Sequence, residues 1–333
     1  MTLSSSCTTL VAAVALVAAL VAALASPVRA QTPSGARQST SDAWWTGPML
    51  ANSASALPHG HALVEPYFYD VTTLGAFDAH GDRHSTPHAQ GYGSLTYIIY
   101  GLTDRVSVGL VPTLGYNTVE NGPSSSRLQL GDVSLLTQYS LTRFREGSRV
   151  PSIALSLQET FPTGKYDRLG ERQADGFGSG VYTTTVALYS QTYFWLPNGR
   201  ILRVRLNGSQ AFSSHATLVD ESVYGTETGF RGTAAPGSST FLDLAGEYSV
   251  TKRWVVASDL TYHHGWNTSV AGSTPASPRI AYGSGSSDAV QVAPAVEYNV
   301  NSNLGMLFGV RIVAAGRNTS STITPAIAIN VVH

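Results

Sequence analysis

Apolar and polar residues alternate with a period of two along most of this chain. Between residues 106 and 117, Val106, Val108, Leu110, Pro112, Leu114 and Tyr116 share one parity, and Ser107, Gly109, Val111, Thr113, Gly115 and Asn117 share the other. A helix would scramble these sets, whereas a strand separates them because successive side chains point to opposite faces. The pattern recurs at 200–212, where Leu202, Val204, Leu206 and Phe212 oppose Arg203, Arg205, Asn207 and Ser209. It recurs again at 241–250 and at 289–300. Scanning the chain this way predicts about twelve strands: 61–72, 92–102, 105–117, 129–142, 151–161, 180–195, 200–213, 239–250, 253–265, 288–300, 304–315 and 321–333.

The length of these runs decides the fold class. Soluble strands average about five or six residues, and a tilted strand crossing a bilayer needs about 9–11. Runs of ten to fourteen residues therefore predict an all-β protein, a transmembrane antiparallel β-barrel of about twelve strands, apolar outside and polar inside. A soluble β-sandwich also alternates, but it rarely uses such long strands with a polar face of Ser, Thr, Gly, Gln and charge. Connections alternate too. Tight turns at 102–105, 196–199, 250–253 and 300–303 separate longer polar loops near 73–91, 118–128, 162–179, 214–238 and 266–287. Short periplasmic turns and long extracellular loops are the asymmetry of an outer-membrane barrel. The loops are Gly/Ser/Thr/Asn-rich, as at 232–239 and 283–287, and read as flexible and hydrated.

The first residues set the compartment. Leu10 to Ala25 is an unbroken Leu/Val/Ala run, short for a membrane helix, followed by Ser26-Pro27-Val28-Arg29-Ala30. That layout predicts a signal peptide over 1–30, although residues 1–9 lack the usual Lys or Arg. Cys7 precedes the apolar run and would leave with it, which removes disulfides and thiolate catalysis from the mature chain. The Ser/Thr/Gln-rich stretch that follows predicts a partly disordered periplasmic lead over 31–58, with the barrel over 59–333. Trp44 and Trp45 in that lead could anchor at the membrane interface or tuck into the lumen.

Charge and candidate chemistry add less. Charged residues are 12% of the chain, about half the soluble norm of roughly 25%. With a net charge of −1 there is no basic field for nucleic acid. His59-Gly60-His61 offers two ligands but no third, and His80, His84 and His88 fall in a loop interrupted by Gly81 and Pro87. No metal, cofactor or catalytic site is predicted. Ser258 and His263, the closest approach to a hydrolase pair, have opposite parity on one strand. Inward charges are more informative, because a buried charge must be paired or wet. Parity places Glu65, Arg203, Arg205, Glu247 and Glu297 in one lumen network near the periplasmic end, with Arg203 and Arg205 as partners for Glu65. Asp132, Asp243, Asp259 and Arg311 are further lumen-facing charges.

Four stretches carry a family resemblance: TGPMLANSASALPHGHALVEPYFYD (46–70), YGLTDRVSVGLVP (100–112), GDVSLLTQY (131–139) and FPTGKYD (161–167). Taken in order they resemble an outer-membrane protein family named for the meta-cleavage pathway of phenol degradation, over 45–333. The resemblance implies a channel in a Gram-negative outer membrane for small hydrophobic or aromatic molecules, with no catalytic residues. Its partners would be outer-membrane lipid, the barrel-assembly machinery and the solute. One departure is the C-terminus, which reads Ile329-Asn330-Val331-Val332-His333 where such barrels commonly end in Phe. A structural or adhesive barrel working through its loops, and an outer-membrane lipid hydrolase, are the alternatives.

Overall fold

The computed structural model describes residues 37–120 and 122–333, so the leader expected over 1–30 lies outside the described residues. The chain forms a closed barrel of twelve antiparallel strands. They are numbered here in chain order: β1 Ala62–Phe77, β2 Ala89–Thr103, β3 Val106–Val111 continuing as Thr113–Val119, β4 Val133–Thr142, β5 Ser152–Phe161, β6 Thr183–Trp195, β7 Ile201–Ser213, β8 Ser239–Ser249, β9 Trp254–Gly265, β10 Ser287–Asn299, β11 Leu304–Arg317 and β12 Thr319–Val332. Each strand pairs with its sequence neighbours. β1 closes the ring by pairing with both β2 and β12. All twelve correspond to the alternating runs in the sequence.

Side-chain direction follows the parity. Phe68, Ile98, Leu135, Leu188, Leu206, Leu244 and Phe308 are exposed on the outer wall. Their neighbours Ser107, Ser156, Arg205, Asn207, Asp243 and Thr261 are buried inside. A continuous apolar outer face on a closed ring leaves no strand edge unpaired, which is the condition for β-structure within a bilayer. Among the described residues, no helix is long and apolar enough to cross a membrane.

Prolines mark where the ladder is weakest, since each lacks an N–H. Pro112 breaks β3 in two. The β1–β12 register skips Glu65 and Pro66, and again skips Asp70 and Val71 opposite Pro325 and Thr324.

Two regions depart from the sequence reading. The loops read as flexible after β7 and β9 instead form a four-stranded antiparallel sheet, Ala216–Val219, Arg231–Ala235, Ser269–Ser273 and Ile280–Gly283. It closes on its own apolar core of Val181, Leu218, Phe230 and Val270. Gly232 and Gly272 face each other so closely across this sheet that a side chain on either would strike the other strand. This explains how a Gly-rich stretch can be ordered. The second departure is the lead before β1. From residue 37 onward it is not a free tail: residues 37–44 contact the periplasmic turns, and the residues that follow are folded into the barrel.

Candidate functional site

Residues 43–57 enter the lumen from the periplasmic mouth, turn, and descend the opposite wall. After a first backbone contact at the rim, this re-entrant segment is held by inward side chains. Trp44 N–H donates to the carbonyl of Lys252 in the β8–β9 turn, 3.1 Å. Thr46 and Gly47 N–H donate to Glu297 of β10, 2.6 and 3.1 Å. Met49, Leu50 and Ala51 N–H all converge on Asp259 of β9, 3.0, 3.2 and 2.9 Å. At the apex, Arg205 and Asn207 of β7 donate to the Ala51 and Asn52 carbonyls, 2.6 and 2.9 Å. On the way down Gln138 of β4 donates to the Ser53 carbonyl, 3.1 Å. Ala56 and Leu57 then donate to Ser140 of β4 and Ser107 of β3, 2.8 and 2.9 Å.

The wall is shaped to take the segment. Inward positions on β9–β12 are small: Ala257, Ala293, Ala295, Gly309 and Ala328. Met49 packs among the alanines, with Leu307 and Tyr67. A side chain at Gly305 would collide with Thr46, and one at Gly101 with the Pro58 carbonyl. The space left beside the segment is about 270 Å³, lined by Glu65, Tyr67, Tyr97 and Gln138.

Glu65, Arg203, Arg205, Asp243, Glu247, Asp259 and Glu297 are buried inside the barrel, but they do not form one network. Arg203 grips Glu247 through Nε at 2.6 Å and through a second guanidinium nitrogen. Arg205 Nε lies 3.1 Å from the same carboxylate. Glu297 is engaged by the re-entrant backbone rather than by arginine. Glu65 accepts from Asn330, 3.1 Å, and forms no ion pair, so its expected pairing with Arg203 and Arg205 does not occur. Asp259 belongs to the segment's tether. Asp132 is not on the lumen wall. It precedes β4 and fastens an extracellular loop, accepting from Gly164 N–H, Ser179 N–H and the Ser179 hydroxyl. Asp243 is 1% exposed, and both its oxygens lack a donor among the described residues. Arg311 Nε also lacks a partner.

Trp45 lies under the Arg203 guanidinium, 4.4 Å from its ring centre, inside the barrel. Trp44 stays at the periplasmic rim between Lys252 and Arg253. His59 bonds the β2–β3 turn, and among the described residues no cluster of His, Cys, Asp and Glu gathers to hold a metal. Ser258 and His263 point to opposite faces of β9, as their parity requires.

Above the segment the lumen opens into a cavity of about 520 Å³, lined by Tyr69, Val71, Gly93, Asn117 and Phe177. The Phe177 loop is fixed by Asp175, which accepts from Ser126 N–H at 2.7 Å and from the Gln129 amide at 2.8 Å. Burial raises the Asp175 carboxyl, but these donors outweigh it and hold it below the usual range. A second cavity of about 510 Å³ lies against the outer wall, lined by Phe68, Tyr92, Pro325 and Ile327. Tyr69, Tyr92 and Gly93 border both cavities.

Among proteins of known structure, the COG4313 outer membrane channel from Pseudomonas putida F1 is similar. It has a TM-score of 0.65 and 16% identity, covering 86% of this chain and 100% of that one. The translocator domain of the autotransporter NalP from Neisseria meningitidis gives 0.43 and 9%, covering 83% and 89%. The toluene transporter TbuX from Ralstonia pickettii gives 0.35 and 12%, covering 89% and 96%. No curated protein matches the sequence. The family model described as "Putative MetA-pathway of phenol degradation" matches residues 77–324, and the chain belongs to that family.

Proposed function

We propose that this protein is a channel of the Gram-negative outer membrane that passes small hydrophobic or aromatic molecules, and that they leave through the barrel wall rather than the periplasmic mouth. The observation that carries this reading is the thin wall at Gly93. The lumen cavity and the outer depression share Tyr69, Tyr92 and Gly93 as lining residues there. Alongside, the β1–β12 ladder is interrupted at Asp70 and Val71. Thr324 Oγ1, across that interruption, also has no partner. The axial route below is filled by residues 43–57, whose backbone is bonded to both sides of the lumen. An apolar solute loses nothing by moving sideways into lipid, whereas a sugar or ion would lose its hydration. The family assignment and the Pseudomonas putida neighbour, itself described as an outer membrane channel, support the same reading.

The test is uptake by proteoliposomes containing purified protein, comparing small aromatic compounds with sugars and inorganic ions. Faster aromatic entry with little sugar swelling and little conductance supports the proposal. Equal permeation of sugars, or no permeation by any solute, overturns it. A hydrolase reading gains nothing from the geometry, because Ser258 and His263 do not meet.

A further inference from the structure

Four carboxylates and two guanidinium groups line the lumen on β7–β10: Asp243, Glu247, Asp259 and Glu297 against Arg203 and Arg205. Three of the four carboxylates have donors. Glu247 has Arg203 as a donor with Arg205 in ion-pair range, Asp259 has three backbone N–H groups, and Glu297 has two. Among the described residues Asp243 has none, although it is 1% exposed. Arg205 sits one inward position below it and is already committed to Glu247 and the Ala51 carbonyl. Burying an ionised carboxylate without a counter-charge is costly.

Its lateral neighbours share the deficit. Asn207 and Thr261 are directly opposite Asp243 on β7 and β9. Opposed residues on one face of an antiparallel sheet have Cβ atoms about 4.5–5.5 Å apart. Asn207 spends its amide N–H on Asn52, leaving Oδ1 without a partner, and Thr261 Oγ1 is likewise without one. Four buried oxygens therefore stand in one row: Asn207 Oδ1, both oxygens of Asp243, and Thr261 Oγ1. Asn207 and Asp243 border a cavity of about 130 Å³ at the apex of the re-entrant segment, which Tyr189 and Gln158 also line.

We propose that Asn207, Asp243 and Thr261 form a binding site for a hard cation of the Ca²⁺ type. A row of carboxylate, amide and hydroxyl oxygens, with room for water to complete the shell, is the donor set such ions take. Bound there, the ion would neutralise the one carboxylate left without a donor. It would also brace β7, β8 and β9 where the segment's apex rests on Asn207.

Tb³⁺ is the probe, because its emission is sensitised by a nearby tyrosine and Tyr189 borders the same cavity. Detergent-purified full chain, stripped with EDTA, should give saturable Tb³⁺ emission that Ca²⁺ displaces. Asp243→Asn should weaken it at least tenfold, the lower end of what ligand-shell changes cost. Thr261→Val should weaken it less. Asp288→Asn controls for Asp288, which lies at the extracellular rim beside Tyr262, and should leave the emission unchanged. Urea unfolding gives an independent readout: Ca²⁺ should raise wild-type stability and leave Asp243→Asn unmoved. No saturable emission in the wild type, equal emission from Asp243→Asn, or loss on Asp288→Asn alone overturns the proposal.

Discussion

Replacing Asp259 with Asn tests whether the re-entrant segment is a tethered plug. The carboxylate accepts three backbone N–H bonds, from Met49, Leu50 and Ala51, in a buried site. Asparagine keeps the size but removes the charge, and it presents an NH2 group where only acceptors are wanted. Bonds to a charged group contribute about 1.5–3 kcal/mol each and neutral ones about 0.5–1.5. The loss is therefore about 1 kcal/mol per bond, or roughly 3 kcal/mol over the three. At about 1.4 kcal/mol per decade, the released population should rise roughly 100-fold. Two assays read this. Single-channel recording should show longer and more frequent open intervals in Asp259→Asn. A cysteine at Ala54, which is fully buried, should react with a polar thiol reagent roughly 100-fold faster in the Asp259→Asn background. The described residues contain no native cysteine to confuse the label. Unchanged labelling together with unchanged conductance would refute the tether argument. Faster labelling without conductance would instead place a second barrier above the segment.

The remaining predictions address other parts of the barrel. Arg203→Ala should destabilise the fold by about 3 kcal/mol in urea titrations, because it strips Glu247 of its bidentate partner in a dry site; Arg203→Ala/Glu247→Ala should recover part of that loss. Gly93→Ala should slow aromatic uptake without unfolding the barrel, since the added methyl would run into the Tyr69 ring at the thin wall; unchanged uptake would move the exit elsewhere. Phe230→Ala should cost about 3–5 kcal/mol within the extracellular sheet and open residues 216–235 and 269–283 to protease while the barrel stays intact on heat-modified gels. At the β1–β2 hairpin, the His84 ring and the N–H groups of Asp82 and His80 hold the Asp78 carboxyl at about 2. Because the folded value lies below the unfolded one, the hairpin's share of stability is present above about pH 4 and is lost as pH falls towards 2. Hydrogen exchange of the hairpin amides between pH 5 and 2 measures it.

The barrel was legible in the sequence because a membrane strand obeys one local rule. Leu202, Val204 and Leu206 must meet lipid while Arg203, Arg205 and Asn207 must not, and the period-two pattern records this residue by residue. The four-stranded extracellular sheet obeys no such rule. Its strands are four or five residues long, and its core draws scattered residues from three loops: Val181 from the first, Leu218 and Phe230 from the second and Val270 from the third. No window along the chain contains enough of them to show a pattern. The re-entrant segment was hidden for a related reason. Residues 43–57 satisfy their backbone mainly through side chains fifty or more residues away, so their own sequence has neither strand nor helix periodicity and reads as a polar lead.

The segment did leave a trace in the strands. Parity places two arginines and four carboxylates in the lumen on β7–β10, an imbalance no pairing among those side chains can remove. A surplus of buried acceptors calls for donors from elsewhere. In a closed barrel whose strand N–H groups are already paired across the ladder, the donors at hand are backbone groups of a segment threaded through the lumen. Small inward residues on the same wall, Ala257, Ala293 and Ala295, indicate where that backbone must lie. Five of its N–H groups donate to two carboxylates, Asp259 and one oxygen of Glu297, and Arg203 donates to a third, Glu247. The remaining carboxylate, Asp243, is then a demand that the described residues do not meet, which is why the cation site is sought there and not at the histidine pair His59 and His61.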